Sequence, residues 1–388
     1  MRKNLFVALA VLIGMVVLLT ACRLGENIDV IEGMAAGPIT FNSVTANGSS
    51  TQTTTQLTLV FANAINGLSA SNITLSGVSG VIKGTLSGSN PYTLPVSGFT
   101  SGGTLSVAVS KTGYTINGSL KTVDIYYKLV DMVQIPGGSF QMGSNSGDDN
   151  EKPVHTVTLS GFYMGKYEVT QEQWTAVMGN NPSNFTGSPA SGEVQSKRPV
   201  ERVSWYDALV FCNKLSVREG LSPAYRISGS TDPANWGSVP TSSNSTWDAV
   251  QIVAGSTGYR LPTEAQWEYA ARGGRGSPGN YTYSGSDTVG DVAWYTSNSS
   301  SKTHEAGKKA PNGLGLYDMS GNVWEWCWDW YGSYSSGAQT DPVGADGSYR
   351  VFRGGSWLFS AEITRSTYRR SNYPHSVSDG IGLRLVRP

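Results

Sequence analysis

The side chains best suited to redox or metal chemistry are few and scattered in this chain of 388 residues. No two of them show the short spacing that metal-binding motifs use. The sequence also contains no Ser/His/Asp signature, no phosphate-binding glycine loop and no specific pair of carboxylates. These observations argue against hydrolytic, phosphate-binding and histidine–metal chemistry. The scattered residues are Cys22, Cys212, Cys327, His155, His304 and His375.

Cys22 differs from the other cysteines because it follows an N-terminal apolar segment. Two basic residues precede an uncharged run over 5–19, which is shorter than the roughly 20 residues of a bilayer span but suits a signal peptide. The run ends in Leu19-Thr20-Ala21-Cys22, which resembles the bacterial lipobox, where cleavage before the cysteine is followed by its acylation. We predict a signal peptide over 1–21, a lipid on Cys22 and a tether over 22–36. The alternative is an ordinary signal peptide with an incidental cysteine.

The predicted lipid makes the membrane a partner of the mature chain. Each buried CH₂ of an acyl chain contributes about 0.8 kcal/mol, so several chains anchor firmly. No other hydrophobic run in the sequence is long enough to span a bilayer. We therefore expect an exported lipoprotein that is anchored in the outer membrane and displayed at the cell surface.

The charge balance argues against one large class of partners. Lys and Arg together number 28, as do Asp and Glu, so the formal net charge is zero. Without a basic field to hold a phosphate backbone, we expect no nucleic-acid partner. Charged residues make up only 14% of the chain and glycine reaches 47 residues, which favours a protein rich in strands and loops.

The first half of the chain has a strand pattern. Short alternating segments are separated by Gly, Ser and Asn clusters at intervals of roughly ten to fifteen residues, which is typical of an antiparallel β-sandwich. No acidic cluster or convergent set of polar residues appears among them. We predict an all-β, immunoglobulin-like sandwich over 37–128 that acts as a spacer. The segments are Thr55–Phe61, Ile73–Ser76, Thr104–Val109 and Thr122–Tyr127.

The second half predicts an α+β domain over 132–388 with a large irregular fraction. Helix signals with Ser or Thr caps alternate with long polar loops. Tryptophans at period two between Trp324 and Trp330 share one face of a strand, so we expect them in the core. Helices are predicted over 170–178, 204–215 and 261–272, and long loops over 180–198 and 228–256.

Two cysteines remain in the mature chain. Cys212 lies on the apolar stripe of the second predicted helix, which favours a buried thiol. In an exported protein it could also pair with Cys327. The sequence leaves both possibilities open.

Sequence blocks along nearly the whole second half carry a resemblance to a known family. They are Ile135–Gly143, Tyr167–Trp174, Pro199–Trp205, Gly258–Gly274, Asn312–Trp326, Arg353–Trp357 and Gly382–Arg384. Through them the chain resembles the sulfatase-modifying-factor family, which includes formylglycine-generating enzymes and uses a C-type-lectin-like fold. The resemblance implies an α+β, C-type-lectin-like head behind the β-sandwich.

The resemblance also implies what an enzyme of this family would need. Formylglycine formation depends on two cysteines, five apart and shortly after the Gly-Gly-Ser block, which bind copper(I) and activate oxygen. Here those positions hold Phe359 and Thr364, and nothing from Trp328 to Pro388 is a cysteine. A related branch uses three histidines on non-haem iron, and the histidines here are scattered. We therefore expect no enzyme activity, no copper and no iron.

A calcium ion is a further implication of the resemblance. Its ligands would be the carboxylates of Asp318 and Glu325 and the backbone oxygens of Gly321 and Val323. Ligation by oxygen alone suits a hard cation, and the ion would be structural. The alternative is that the carboxylates cap turns without an ion.

The last forty residues combine a fixed frame with irregular filling. Between Arg353–Trp357 and Ile381–Pro388 the side chains follow neither helical nor strand periodicity and mix aromatic with small polar groups, as binding surfaces do. This layout resembles the variable proteins of diversity-generating retroelements, in which a C-type-lectin-fold domain ends in a region rewritten by adenine-directed mutagenesis. We predict a variable ligand-binding segment over 350–388. Its ligand-contacting residues are Phe352, Leu358, Phe359, Glu362, Ile363, Tyr368, Ser371, Asn372, Tyr373, His375, Ser376 and Asp379.

These observations predict a surface-anchored, non-catalytic lipoprotein that displays a diversified site for an unknown protein or cell-surface ligand. Two alternatives stay open. An enzyme oxidising cysteine to formylglycine would turn over a cysteine-containing peptide with copper and oxygen. A static structural or adhesin lipoprotein of the envelope would have an unremarkable C-terminal lobe that is not diversified.

Replacing Cys22 tests the anchor. Cys22→Ser removes the only thiol that can carry the predicted lipid, so the chain should leave the membrane as a soluble protein or remain an unprocessed precursor. Detergent-phase partitioning measures this directly. An unchanged membrane fraction would refute the lipobox assignment.

Overall fold

The computed structural model describes residues 36–49, 52–274, 281–344 and 346–388. The predictions for the signal peptide, for Cys22 and for the tether up to residue 35 lie outside these ranges. Two successive parts are described, the first all-β and the second α+β, and they have separate apolar cores.

The all-β part consists of two sheets. Its strands are Ala36–Ala46 (β1), Gln56–Phe61 (β2), Ile73–Ser76 (β3), Ile82–Lys83 (β4), Tyr92–Ser97 (β5), Gly103–Val109 (β6), Tyr114–Asn117 (β7) and Leu120–Ile125 (β8). One sheet has the order β4-β5-β2-β1-β7 and the other the order β3-β6-β8. Strand β1 is antiparallel to β2 and parallel to β7.

Alternating side chains from these strands form one core. In β2 every second residue is buried, as expected for a strand with one face toward apolar neighbours. Phe41 of β1 stacks on Phe61 of β2 with ring centroids 4.7 Å apart. The all-β prediction for this part is confirmed, and the immunoglobulin-like topology stays a prediction.

A buried ion pair fixes the junction between the two parts. Lys128 Nζ lies 2.9 Å from Glu219 Oε2, and the two side chains are 7% and 3% exposed. The same carboxylate accepts a hydrogen bond from the backbone N–H of Leu129 at 2.9 Å and another from Tyr259 Oη at 2.6 Å. A carboxylate with this many partners holds one geometry, so the junction is not a free linker.

The α+β part has many short elements. Its strands are Met132–Ile135 (β9), Gly138–Met142 (β10), His155–Leu159 (β11), Phe162–Gly165 (β12), Tyr225–Arg226 (β13), Gln251–Ile252 (β14), Ala293–Trp294 (β15), Ser320–Gly321 (β16), Trp324–Trp330 (β17), Gln339–Thr340 (β18), Arg350–Arg353 (β19), Arg369–Asn372 (β20), Ile381–Gly382 (β21) and Val386–Arg387 (β22). Its helices are Gln171–Met178 (α1), Trp205–Arg218 (α2), Ser245–Asp248 (α3), Glu264–Ala271 (α4) and Val289–Val292 (α5). In the described part of the chain, no helix is both long and apolar enough to cross a membrane.

The three longer helices begin where the sequence predicts. Thr170, Ser204 and Thr263 each accept a hydrogen bond from the backbone N–H three residues later, and the side chain at that later position reaches back to the cap. This capping box satisfies two backbone donors that a helix start otherwise leaves open. Helix α2 then buries most of its length in the core.

Strand β17 is the centre of the α+β part. It lies in a four-stranded sheet with the order β20-β19-β17-β21. Trp324 and Trp326 belong to one apolar core and Cys327 to a second. The tryptophan face is therefore buried as predicted at these two residues, whereas Trp328 and Trp330 are only partly buried. Cys212 and Cys327 are both buried free thiols, which resolves the question of a disulfide between them.

Buried arginines connect the C-terminal segment to the rest of the fold. Arg384 donates from Nε and Nη2 to both oxygens of Glu325, at 2.7–3.0 Å, and neither side chain is exposed. Arg353 donates to Glu268 at 2.5 Å, and Arg369 forms a bidentate pair with Glu264 at 2.6 and 2.7 Å. Removal of one partner would leave an uncompensated charge in the core.

Arg384 offers a test of this framework. Arg384→Met should cost about 3–5 kcal/mol because Glu325 stays buried without its cation, which lowers the melting temperature by roughly 2–4 °C per kcal/mol. Arg370 is exposed, so Arg370→Met is the matched control and should melt like the unmutated chain. A double variant, Glu325→Gln with Arg384→Met, should regain part of the loss. Equal melting temperatures for the two single variants would contradict the framework.

Candidate functional site

The C-terminal segment is built on two paired strands, which are joined by residues 354–368 with a short 3-10 helix over Ala361–Thr364. Strand β19 is antiparallel to β20, with Phe352 opposite Arg370 and Val351 opposite Ser371. The connection begins at Gly354 and Gly355, whose φ angles are +97° and +76°. A Cβ at Gly355 would lie 2.7 Å from Thr364 Cγ2, so this connection requires glycine both for its conformation and for its close packing.

An inner group of predicted ligand residues surrounds Trp324. The Trp324 ring lies 4.8 Å from Phe352, 5.7 Å from Phe359 and 6.1 Å from Tyr368, measured between ring centroids. Phe359 and Tyr368 are half-buried, but Phe352 is only 4% exposed. The Phe352 ring packs against both Trp324 and Trp326, so it offers little surface to a ligand, and its contact with one stays a prediction.

An outer group forms an exposed aromatic ledge of Tyr349, Tyr373 and His375. The hydroxyls of Tyr349 and Tyr373 lie 3.1 Å apart and their ring centroids 4.6 Å apart. The His375 ring stacks on Tyr373 at 5.4 Å, and both tyrosines are 41% exposed. Tyr349 lies just outside the predicted segment 350–388. Nothing in its polar sequence context indicates this contact, which arises from the pairing of β19 with β20.

The other predicted ligand residues are distributed around these two groups. Leu358 is 53% exposed, and Val377, which lies in the predicted segment but is not one of its named ligand residues, is 54% exposed. Glu362 is exposed, whereas Ile363 packs against the tryptophan core. Those of intermediate exposure on β20 and in the turn that follows it are Ser371, Asn372, Ser376 and Asp379.

A loop from the predicted range 180–198 packs against the start of the C-terminal segment. The ring of Phe185 packs edge-on against Trp357 at 5.2 Å, and the Arg198 guanidinium lies 5.2 Å over the same Phe185 ring. The Glu201 carboxylate accepts the backbone N–H of Phe185 at 2.9 Å. Burial raises the pKa of Glu201 to about 7, so the carboxyl that positions this loop titrates near neutral pH.

The copper site of the enzymes does not fit this chain. Phe359 is half-buried beside Trp324, and Thr364 is buried with its hydroxyl donating to the Ala361 carbonyl at 2.9 Å. The two thiols of the described chain lie in different cores, and burial raises the pKa of both Cys212 and Cys327. Neutral thiols in separate cores cannot act together as a thiolate pair for copper(I).

The predicted calcium ligands do not fit one cation as a set. Both oxygens of Glu325 already accept hydrogen bonds from Arg384, and Trp267 Nε1 donates to Glu325 Oε2 at 2.7 Å. The structure does not support Glu325 as a calcium ligand. Asp318 differs, since its Oδ2 accepts from the Gly307 N–H while its buried Oδ1 has no hydrogen-bond partner among the described residues. The backbone oxygens of Gly321 and Val323, and calcium at Asp318, stay a prediction.

Asp318 belongs to a buried cluster with excess negative charge. Its pKa is raised to about 6 by burial, and the charge of Glu325 adds to the shift. Glu168 is also fully buried, and its pKa is raised well above its ordinary value by burial and by Asp318. Arg384, with Lys309 beside Asp318, supplies two positive charges to these three carboxyls. The cluster therefore needs protons or a cation to balance it.

Comparisons with known proteins identify the family. Residues 122–388 match the profile of the family described as "Sulfatase-modifying factor enzyme 1-like domain". The chain belongs to this family, as the sequence blocks predict. A solved structure, "Treponema denticola variable protein 1", shares 44% identity, covers 68% of this chain and 98% of its own, and superposes with a TM-score of 0.63. This likeness supports the C-type-lectin-like fold of the head.

Two curated relatives of similar coverage have names that indicate different roles. "Chaperone protein LppX" of Paenibacillus barcinonensis is 41% identical over an alignment of 275 positions that covers 66% of this chain and 89% of that protein. "Inactive C-alpha-formylglycine-generating enzyme 2" of Bos taurus is 31% identical over an alignment of 296 positions that covers 66% of this chain and 88% of that protein. The second name shows that the family includes a protein named as inactive.

Asp318→Asn tests the acidic cluster. The raised pKa means that the folded state holds a proton on Asp318 more tightly than the unfolded state, so this stability is complete below about pH 4 and is lost as the pH rises through about 6. In a chelator, Asp318→Asn should therefore melt above the unmutated chain at pH 8, with the difference closing toward pH 4. Asp346→Asn, at an exposed carboxylate, is the control.

The same melts discriminate between proton and calcium. If calcium binds Asp318, added calcium should raise the melting temperature of the unmutated chain and leave Asp318→Asn unchanged, because a ligand of the native state stabilises by mass action. If Asp318→Asn is the less stable protein at pH 8 in the chelator, the account of the cluster is wrong.

Proposed function

We propose that this chain is a surface-anchored, non-catalytic lipoprotein whose head presents a diversified ligand-binding site over 350–388. The observation that carries the proposal is the exposed aromatic ledge on a strand pair whose neighbouring arginines are buried and ion-paired. The positions where the enzymes have their copper-binding cysteines hold Phe359 and Thr364 here. The side chains at these positions therefore cannot bind copper through thiolates, but they can contribute to a surface that contacts a ligand.

The mixture of rigid and replaceable positions supports binding. Arg353 and Arg369 are buried and fix the two strands, whereas Tyr373 and Leu358 on the same segment are 41% and 53% exposed. Exposed tyrosine rings supply a large contact area with few rotatable bonds, as they do in other protein-binding surfaces. Substitution at exposed positions usually changes stability by no more than about 0.5 kcal/mol. Such a segment tolerates diversity without loss of the fold.

Similarity to a variable protein supports the same proposal. The match to "Treponema denticola variable protein 1" includes 98% of that chain. We infer that this chain shares a C-terminal segment changed by adenine-directed mutagenesis. The ligand class is a protein or another cell-surface molecule, and the all-β part with its fixed junction would act as an immunoglobulin-like spacer above the lipid on Cys22.

Cysteine oxidation is the competing function. Other members of the family are enzymes, so purified head should be incubated with copper, oxygen and a cysteine-containing peptide. We expect no aldehyde product, because the thiols of the described residues are buried and separated. Turnover of the peptide would overturn the non-catalytic proposal.

Selective substitutions test the binding surface. A ligand is first found by screening the head against displayed cell-surface proteins. Tyr373→Ser should then weaken binding by roughly 10-fold or more while the melting temperature stays within about 2 °C. Phe359→Ser should lower the melting temperature, since its ring packs on Trp324. Val217→Ser, at an apolar residue on α2 that is 61% exposed, is the control and should change neither property. Loss of binding with Val217→Ser, or none with Tyr373→Ser, would refute the assigned surface.

The gene tests diversification separately. Its 3′ end should be compared with any near-identical copy in the same genome. Differences confined to adenines of the copy, at codons for the exposed residues of 350–388, would support diversification. Differences spread evenly over codons for buried arginines and glycines would leave only a static binding domain.

A further inference from the structure

A second concave site lies apart from the ligand-binding ledge, beneath the loop that joins β17 to β18 and the residues after β18. It is a cavity of about 380 Å³, which is within the size range of small-ligand pockets. His155, Asp329, Trp330, Tyr334 and Gln339 are among its lining residues. Neither the family nor the proposed function assigns it a role.

Two mostly buried side chains in this cavity each have an acceptor atom that receives no hydrogen bond from the described residues. Asp329 is 5% exposed, its Oδ2 accepts the backbone N–H of Glu264 at 2.8 Å, and its Oδ1 has no hydrogen-bond partner among the described residues. His155 is 4% exposed, and its Nδ1 lies 3.1 Å from the Pro153 carbonyl. Because a carbonyl only accepts, Nδ1 must donate, which leaves a lone pair on Nε2 of the neutral ring. That Nε2 has no partner within the described ranges either.

The guanidinium of Arg369 on the cavity wall already has hydrogen-bond partners within the protein. Arg369 donates from Nε and Nη2 to Glu264 and from Nη1 to the carbonyls of Asn150 and Gly332. Glu264 also accepts from the Tyr334 hydroxyl at 3.2 Å. The wall therefore pairs its own charges and presents two unmatched acceptors, Asp329 Oδ1 and His155 Nε2. Both residues line the cavity, so a ligand that displaces water from these two acceptors must bring hydrogen-bond donors.

We propose that this cavity binds a primary alkylammonium group. The ammonium would donate to Asp329 Oδ1 and His155 Nε2, and its alkyl chain would lie against the Trp330 and Tyr334 side chains. A compact ammonium carries three donors on one charge, so it serves both acceptors and one polar group of the rim. The source of the ammonium is either a free small amine or a lysine side chain of another protein.

The pKa of Asp329 predicts how amine binding depends on pH. Burial raises its pKa to about 7 and the charge of Glu264 adds to the shift, while the Glu264 backbone N–H, Arg350 and Arg369 oppose it. His155 and Tyr334 are the other titratable groups that line the cavity beside these residues. Because the ammonium binds the ionised carboxylate, its affinity should increase as the pH rises through about 7.

Amine binding to the purified full chain tests the proposal. At pH 8, saturation-transfer NMR should detect n-butylamine, and the neutral n-butanol should give no signal from the same cavity. Asp329→Asn keeps an oxygen for the Glu264 N–H and removes the charge, so it should weaken butylamine binding by roughly 10-fold or more. Asp346→Asn, at an exposed carboxylate, is the control and should bind like the unmutated chain.

A second variant tests the same site independently, in case Asp329→Asn does not fold. His155→Phe keeps a ring against Tyr334 and removes the Nε2 acceptor, so it should also weaken butylamine binding. Two further ligands distinguish the source of the ammonium. Tighter binding of Nα-acetyl-lysine methylamide would indicate a lysine side chain, and tighter binding of 1,4-diaminobutane would indicate a free small amine. The proposal is overturned if neither amine binds, or if butylamine binds Asp329→Asn and the unmutated chain equally.

Discussion

The buried pairing of arginine with glutamate is the constraint on which the head depends. Arg353, Arg369 and Arg384 come from the last forty residues, and their carboxylate partners come from α4 and β17. Desolvation makes such pairs poor sources of net stability, but loss of one member leaves a charge in the core. We infer that the pairs act chiefly on specificity, since this placement of the C-terminal segment satisfies all three of them. That placement lets the segment carry irregular, exposed side chains without an apolar period of its own.

Much of the architecture could be predicted from local signals. Thr170, Ser204 and Thr263 start helices because each has the side-chain pattern of a capping box. The alternation in residues 56–61 predicts a strand with one buried face, which the structure confirms. The sequence blocks also predicted the family, since each block serves a buried position, a cap or a turn. These signals are legible because they depend on neighbours close in the sequence.

Contacts that the sequence does not predict arise where distant residues decide the environment. Phe352 was expected at the ligand surface, but its strand places it against Trp324 from β17. Glu325 was expected to bind calcium, but Arg384, which lies 59 residues later, occupies its oxygens. Tyr349 joins the aromatic ledge through the pairing of two strands, and no local pattern predicts that contact. The sequence identifies the type of each side chain, whereas tertiary packing determines which residue that side chain contacts.

A scan of folding across the segment tests the central claim most directly. Every residue of 350–388 is replaced by all others, the head is displayed on cells, and the folded fraction is measured with a conformation-specific antibody against a distant face. We predict broad tolerance at Leu358, Tyr373 and Val377 and severe loss at Arg353, Arg369 and Arg384. Uniform sensitivity along the segment, or tolerance at the arginines, would contradict a rigid frame that carries a replaceable surface.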